Sequence, residues 1–189
     1  RLDSTVLSTD QHLHNLFAHA ERLLESIRGP IPSEMETCKV LKAAHAIHIS
    51  AVINFLPTIF DQLCILLITS INDDVSCNII RLMINLIHMV AEEANRKELM
   101  QSYVKYNFKT PALKVKSNAS PSAINTVHGE ICKHLPALLN PANTDFLLVN
   151  KFMKFSSIIF DIIIKSMSHF LLSSGRIKMH RNERFPKEF

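Results

Sequence analysis

Apolar residues recur at intervals of three and four along most of the chain, with polar residues and helix-breaking residues set between the runs. Leu13, Phe17, Leu23, Leu24 and Ile27 follow helical spacing, so a first helix is expected over 11–27, capped by Asp10 and ended by Gly29, Pro30 and Pro32. Ser33 followed by Glu36 forms a capping-box pair, which opens a second helix through about Ile47 with Val40, Leu41 and Ala44 on one face.

Residues 49–69 are the most apolar stretch, yet Asn54, Pro57, Asp61 and Gln62 interrupt it, and a mid-membrane charge costs roughly 2.5–3.5 kcal/mol. A buried helix kinked by Pro57 is the better reading. Asn72, Asp73 and Asp74 then supply a cap and favourable acidic charge for a helix to about Glu93, whose core face is Val75, Ile79, Leu82, Met83, Leu86 and Val90. After Asn95 and Arg96 a shorter amphipathic helix carries Leu99, Tyr103, Val104 and Tyr106. Lys109 to Ser122 is polar, holds Pro111 and Pro121, and reads as the one long loop, where insertions should be tolerated. A helix from Ser122 to about Leu139 follows, broken by Pro141. Asn143, Thr144 and Asp145 cap the last helix through Ser173, which Gly175 closes. In that helix Asp161 and Lys165 stand four apart in the stabilising order, while Ile158, Ile159, Phe160, Ile162, Ile163 and Ile164 predict burial on most sides.

The expected fold class is all-α, with stacked antiparallel helical hairpins forming an armadillo- or HEAT-like solenoid segment over 1–175, a loop at 109–122 and a basic connector at 176–189. A single irregular bundle is the alternative. The chain opens on Arg1 and closes on Phe189, which reads as an excised fragment; in that case its terminal helices should present unusually apolar faces.

With 189 residues, 47% apolar content, three glycines and no Trp, composition supports one helical core. Cys38, Cys64, Cys77 and Cys132 are far apart within helical stretches, as expected of buried thiols in a reducing, cytoplasmic setting. No secretory signal is visible, and the sequon Asn118-Ala119-Ser120 is discounted accordingly. Residues 1–95 hold 6 Lys/Arg against 11 Asp/Glu, whereas 96–189 hold 15 against 6, giving about −5 and +9. That asymmetry fits either two solvated faces or a C-terminal half that attracts an acidic partner.

Candidate chemistry is sparse. His12 and His14 point to different helix faces, and His45 with His48 lacks further ligands at tetrahedral spacing, so no metal is expected. Gly29, Gly129 and Gly175 are too dispersed for a phosphate loop, and no hydrolase or thiol-redox motif occurs. Cys38 and His45 share only a helical spacing as nucleophile and base. No catalytic, cofactor or metal site is therefore expected. Arg176, Lys178, Arg181, Arg184 and Lys187 are the candidate contacts to an acidic partner or lipid, diluted by Glu183 and Glu188; nucleic-acid binding is not expected, and any membrane contact is peripheral.

Several ordered stretches resemble one family. They are Asp10-Gln11-His12-Leu13-His14-Asn15-Leu16-Phe17, Leu41-Lys42-Ala43-Ala44-His45-Ala46, Asn54-Phe55-Leu56-Pro57-Thr58-Ile59 with Gln62-Leu63, and Ser102-Tyr103-Val104-Lys105-Tyr106. Asn150-Lys151-Phe152-Met153-Lys154-Phe155-Ser156, Phe160-Asp161, Lys165-Ser166-Met167 and Arg184-Phe185-Pro186 complete the series. Together they resemble the region between the two conserved domains of DOCK-family Rho exchange factors, most closely the zizimin or D subgroup and next the C subgroup. Ser157, Ile158 and Ile159 depart from the Trp and aromatic cluster common there. The resemblance implies a parent guanine nucleotide exchange factor for Cdc42 or Rac, with a lipid-binding domain before this segment and the exchange domain after it. The segment itself would be a non-catalytic scaffold offering surfaces to neighbouring domains, protein partners or a second copy. The alternative is a free-standing helical-repeat adaptor that binds a peptide or protein.

Overall fold

The computed structural model describes residues 10–25, 32–111, 125–140, 142 and 145–173. Among them lie seven α-helices and no strand: α1 (Gln11–Glu25), α2 (Glu34–Ala43), α3 (Ile49–Thr69), α4 (Asp73–His88), α5 (Lys97–Ser102), α6 (Val127–Leu138) and α7 (Phe146–Ser173). The molecule is an all-α helical-repeat segment. The expected loop lies almost entirely outside the described residues, as do the sequon, Gly175 and all five C-terminal basic residues.

Helix starts follow local polar chemistry. Asp10 accepts the Leu13 amide at 2.9 Å with Oδ1, and its Oδ2 accepts the His48 amide at 2.7 Å, so one carboxylate caps α1 and ties it to the start of α3. Ser33 accepts the Glu36 amide at 3.1 Å, but the reciprocal half of the expected capping box is not made. The Glu36 carboxylate instead takes Arg22 of α1 at 2.6 Å, a charge-assisted bond that wins over a neutral amide. Asn72 caps α4 through the Asp74 and Val75 amides at 2.8 and 3.1 Å. Asp145 caps α7 through the Leu148 amide at 3.1 Å.

Two boundaries differ from expectation. Asn125 and Thr126 are not helical, and α6 begins at Val127 because the Thr126 hydroxyl accepts the Gly129 amide at 3.1 Å, not at Ser122. A single 3-10 turn over Ala44–Ala46 ends the second helical stretch before His48, whose ring accepts the Ser50 amide and caps α3.

α3 bends at Phe55 (φ −113°, ψ 17°), two residues before Pro57, as a missing amide and a crowding ring require. α4 widens into a π-helical turn at Met89–Glu93 and stops where Asn95 adopts φ 50°, which lets the Arg96 amide reach back to the Val90 carbonyl at 2.9 Å. A second π-helical turn, Tyr103–Asn107, ends the α5 stretch.

α4 is the central element, packed against α2, α3, α6 and α7, while α1 covers α2 and α3. Its expected face, Val75, Ile79, Leu82, Met83, Leu86 and Val90, is buried throughout. α3, and α4 with its π turn, are long and apolar enough to cross a membrane by length and composition, but most of each is buried against neighbouring helices. Tyr103 and Val104 join the core, whereas Tyr106, expected beside them, is exposed because the wide turn rotates it outward.

α7 corrects a larger expectation. Leu148, Phe152, Phe155, Ile158, Ile159, Ile162 and Ile163 are buried, but Phe160 is half exposed and Ile164 60% exposed, so the helix is covered on one side and bare on another. Nor does Lys165 turn to Asp161; its ammonium donates to the Lys105 carbonyl at 2.9 Å. The thiols divide likewise: Cys64 is buried, Cys38 and Cys77 are half-buried, and Cys132, expected inside, is exposed.

Candidate interaction groove

Asp74, Asn78, Arg81 and Asn85 follow one another at four, three and four residues along α4, on the side away from its apolar core face. Cys38 and Lys42 of α2, with His45 of the 3-10 turn, form one wall above them. Ala137 and Leu138 of α6, with Asp145, Leu147, Leu148 and Lys151 at the start of α7, form the other. The open groove between them has a volume of about 790 Å3.

Its floor is hydrogen-bonded in a defined pattern. Asn78 Nδ2 donates to the Asp74 carbonyl at 2.8 Å and to Cys38 Sγ at 3.5 Å. Lys151 Nζ donates to Asn85 Oδ1 at 2.5 Å, and Asn85 Nδ2 reaches Met89 Sδ at 3.4 Å. Arg81 pairs with Asp145, so the carboxylate that caps α7 also fastens it to α4. Once that pair is set aside, Lys42 and Lys151 outnumber Asp74, and the remaining field is cationic. His45 keeps solvent contact, yet enclosure by the groove walls and the charges of Lys151 and Arg81 push its pKa down.

Cys38 and His45, seven residues or about two helical turns apart in sequence, do line the same groove. The Cys38 sulfur is engaged by Asn78, and no hydrogen bond joins it to His45. Sequence reasoning missed a closer constellation: Cys77 Sγ lies 3.9 Å from His134 Nδ1, whose Nε2 lies 3.3 Å from Glu130 Oε2. This order of thiol, imidazole and carboxylate resembles an activated nucleophile only in outline, because burial pushes the Cys77 thiol up, away from thiolate at neutral pH. Among the described residues no three His, Cys, Asp or Glu side chains are placed to hold a metal; His12 and His14 are exposed, and His19 is buried against Thr37 at 2.9 Å. The signal for the groove floor was present in the sequence as a polar stripe on an otherwise apolar helix.

A second polar feature lies under α3. Asp61 Oδ1 and Tyr103 Oη are buried without a hydrogen-bond partner, although each influences the other. Burial raises the Asp61 carboxyl, opposed by Lys109 and Tyr103, and burial together with Asp61 pushes the Cys64 thiol up to about 12.

The groove thus presents amide, imidazole, thiol and charged groups between apolar side chains of α6 and α7. The family described as "DOCK6-11, TPR domain" matches residues 41–189. The chain is 37% identical over 188 residues to "Dedicator of cytokinesis protein 9" of Mus musculus and likewise to that of Homo sapiens, covering all of this chain and 9% of each relative. It is 31% identical over 188 residues to "Dedicator of cytokinesis protein 11" of Danio rerio, covering 98% of this chain and 9% of that protein. No solved structure matches it significantly. The chain therefore spans about a tenth of the curated relatives' length. A polar-floored stack of helices, matched over most of its length by that profile, places the chain in the TPR-domain family of DOCK6–11, within the zizimin group of DOCK proteins.

Proposed function

We propose that this chain is a non-catalytic helical scaffold and protein-interaction segment of a DOCK-type guanine nucleotide exchange factor that acts on Cdc42 or Rac. The family match through residue 189 is the observation that carries this reading. The groove along α4 supports it, since its polar floor and surplus of lysine suit a polypeptide partner with acidic side chains. In this reading the exchange chemistry belongs to another part of the parent protein, with which this segment acts in the cytoplasm, and the C-terminal basic residues approach acidic partners or lipid headgroups there. Neighbouring domains of the parent are its first partners.

Stopped-flow release of a fluorescent guanine nucleotide from Cdc42 and from Rac tests the division of labour. The purified 189-residue chain leaves the intrinsic rate unchanged, and the parent protein accelerates it. Acceleration by the chain alone overturns the proposal. The peptide-binding adaptor remains the second reading because of the groove itself; the transcript that encodes the chain separates the two directly.

A further inference from the structure

Four large apolar side chains on α7, Phe146, Met153, Phe160 and Met167, are seven residues apart, and all are exposed, by 70%, 66%, 50% and 44%. Ile164, at 60% exposure, fills the position four residues after Phe160. The helix is kinked at Phe155 (φ −125°, ψ 24°), so Phe146 and Met153 share one line before the kink, and Phe160, Ile164 and Met167 share a narrow line after it. The buried side chains Leu148, Phe152, Phe155, Ile159, Ile162 and Ser166 centre roughly 140° away around the same helix. α7 therefore carries two apolar faces, of which the segment covers only one.

Soluble proteins rarely leave several hundred Å2 of contiguous apolar surface bare without a use. Each part of the stripe is one side chain wide, a shape that matches the ridge of a second helix rather than a flat surface. It contains no charged residue; Lys154, Asp161 and Lys165 lie only along one flank. Leu147, seven residues before Lys154 and so on that same flank, lines the groove and lies outside the stripe.

We propose that the outer stripe of α7 is the docking face for a further amphipathic helix of the same polypeptide, so that the helical stack continues past this segment. The proposal rests on the family reading, because it needs a longer parent chain. The curated relatives are chains of that kind: the segment spans 9% of each. A helix on the same molecule is present at high effective concentration, while a second copy must pay for association.

Methionine oxidation by dilute peroxide, read by peptide mass spectrometry with N-acetylmethionine as the reference, tests this. In the 189-residue chain Met153 and Met167 oxidise nearly as fast as the reference, while buried Met83 and Met100 stay slow and report the fold. In the full-length parent both stripe methionines slow by about tenfold or more, at every protein concentration. Equal rates in the two proteins overturn the proposal. So does protection of the 189-residue chain that grows with concentration alongside a doubled mass, which assigns the stripe to a second copy. As an independent measurement, Phe160→Asp lowers the melting midpoint of the 189-residue chain only slightly, through loss of its edge contact with Phe152, and lowers that of the parent by at least twice as much; equal shifts in the two also overturn it. If the parent failed to exchange nucleotide yet protected the stripe, the functional reading would fall and this one would stand.

Discussion

Removing the Asp10 carboxylate should loosen two helices at once. Its Oδ1 caps α1 through the Leu13 amide at 2.9 Å and its Oδ2 holds the His48 amide at 2.7 Å, from 38 positions further along the chain. Asp10→Ala loses the cap, worth about 1 kcal/mol, and leaves the half-buried His48 amide without its acceptor, for about another 1–2 kcal/mol. The expected cost is about 2–3 kcal/mol, or a fall in melting temperature of roughly 4–10 °C for a domain of this size. Asp10→Asn keeps one acceptor oxygen and should lose about half as much. Urea unfolding followed by helical circular dichroism measures both. The pH dependence gives a further check. Burial pushes the Asp10 carboxyl up, but the amides of His48, Leu13 and His12 and the nearby His12 ring outweigh it, so the net pKa is lowered. A depressed carboxyl contributes stability that is full above its unfolded value, about 3.9, and is lost as pH falls through the folded one. The gap between Asp10 and Asp10→Ala should therefore shrink below about pH 4. A cost under about 0.5 kcal/mol, or equal losses for Asn and Ala, would refute the two-acceptor argument.

Other consequences are as direct. Phe160→Ala should cost less than about 1 kcal/mol in this chain, because half of the ring is already in water, whereas Ile162→Ala, at 0% exposure, should cost about 2–5 kcal/mol; denaturant midpoints compare them. His19, His45, His128 and His169 all have lowered pKa values, chiefly through burial, so protonation favours the unfolded chain; stability should decline as pH drops below about 6.5, as a pH series of melting curves will show. Cys132 should react with a disulfide reagent at once, while Cys64, buried with its pKa pushed up to about 12, should react only on unfolding. A methyl group at Gly129 would stand 2.8 Å from the Thr126 hydroxyl, so Gly129→Ala should displace that cap and cost about 1 kcal/mol by thermal melting.

The sequence made the helices legible because their signals are local. Asp10, Asn72 and Asp145 cap from the positions that their side chains predict, and Pro57 bends α3 within two residues of itself. What was misread depends on partners distant in sequence. The Ser33–Glu36 box is half made because Arg22 competes for Glu36, and Lys165 prefers a carbonyl on Lys105 to the carboxylate one turn away. Apolarity around α7 could not say which neighbours were present, so Phe160 looked buried when only one face of its helix is. The groove was partly legible: the spacing of Asp74, Asn78, Arg81 and Asn85 marks a polar stripe on α4, but its walls come from α2, α6 and α7, and no local pattern brings them together.

The segment between α5 and α6 is moored at both shores. On one side Phe108 stacks on His169 at 6.3 Å and Thr110 Oγ1 meets His169 Nδ1 at 3.1 Å; on the other, Asn125 Nδ2 holds the Ile68 carbonyl at 3.4 Å. Cutting the chain between Thr110 and Asn125 should therefore leave two pieces that stay clasped through these contacts.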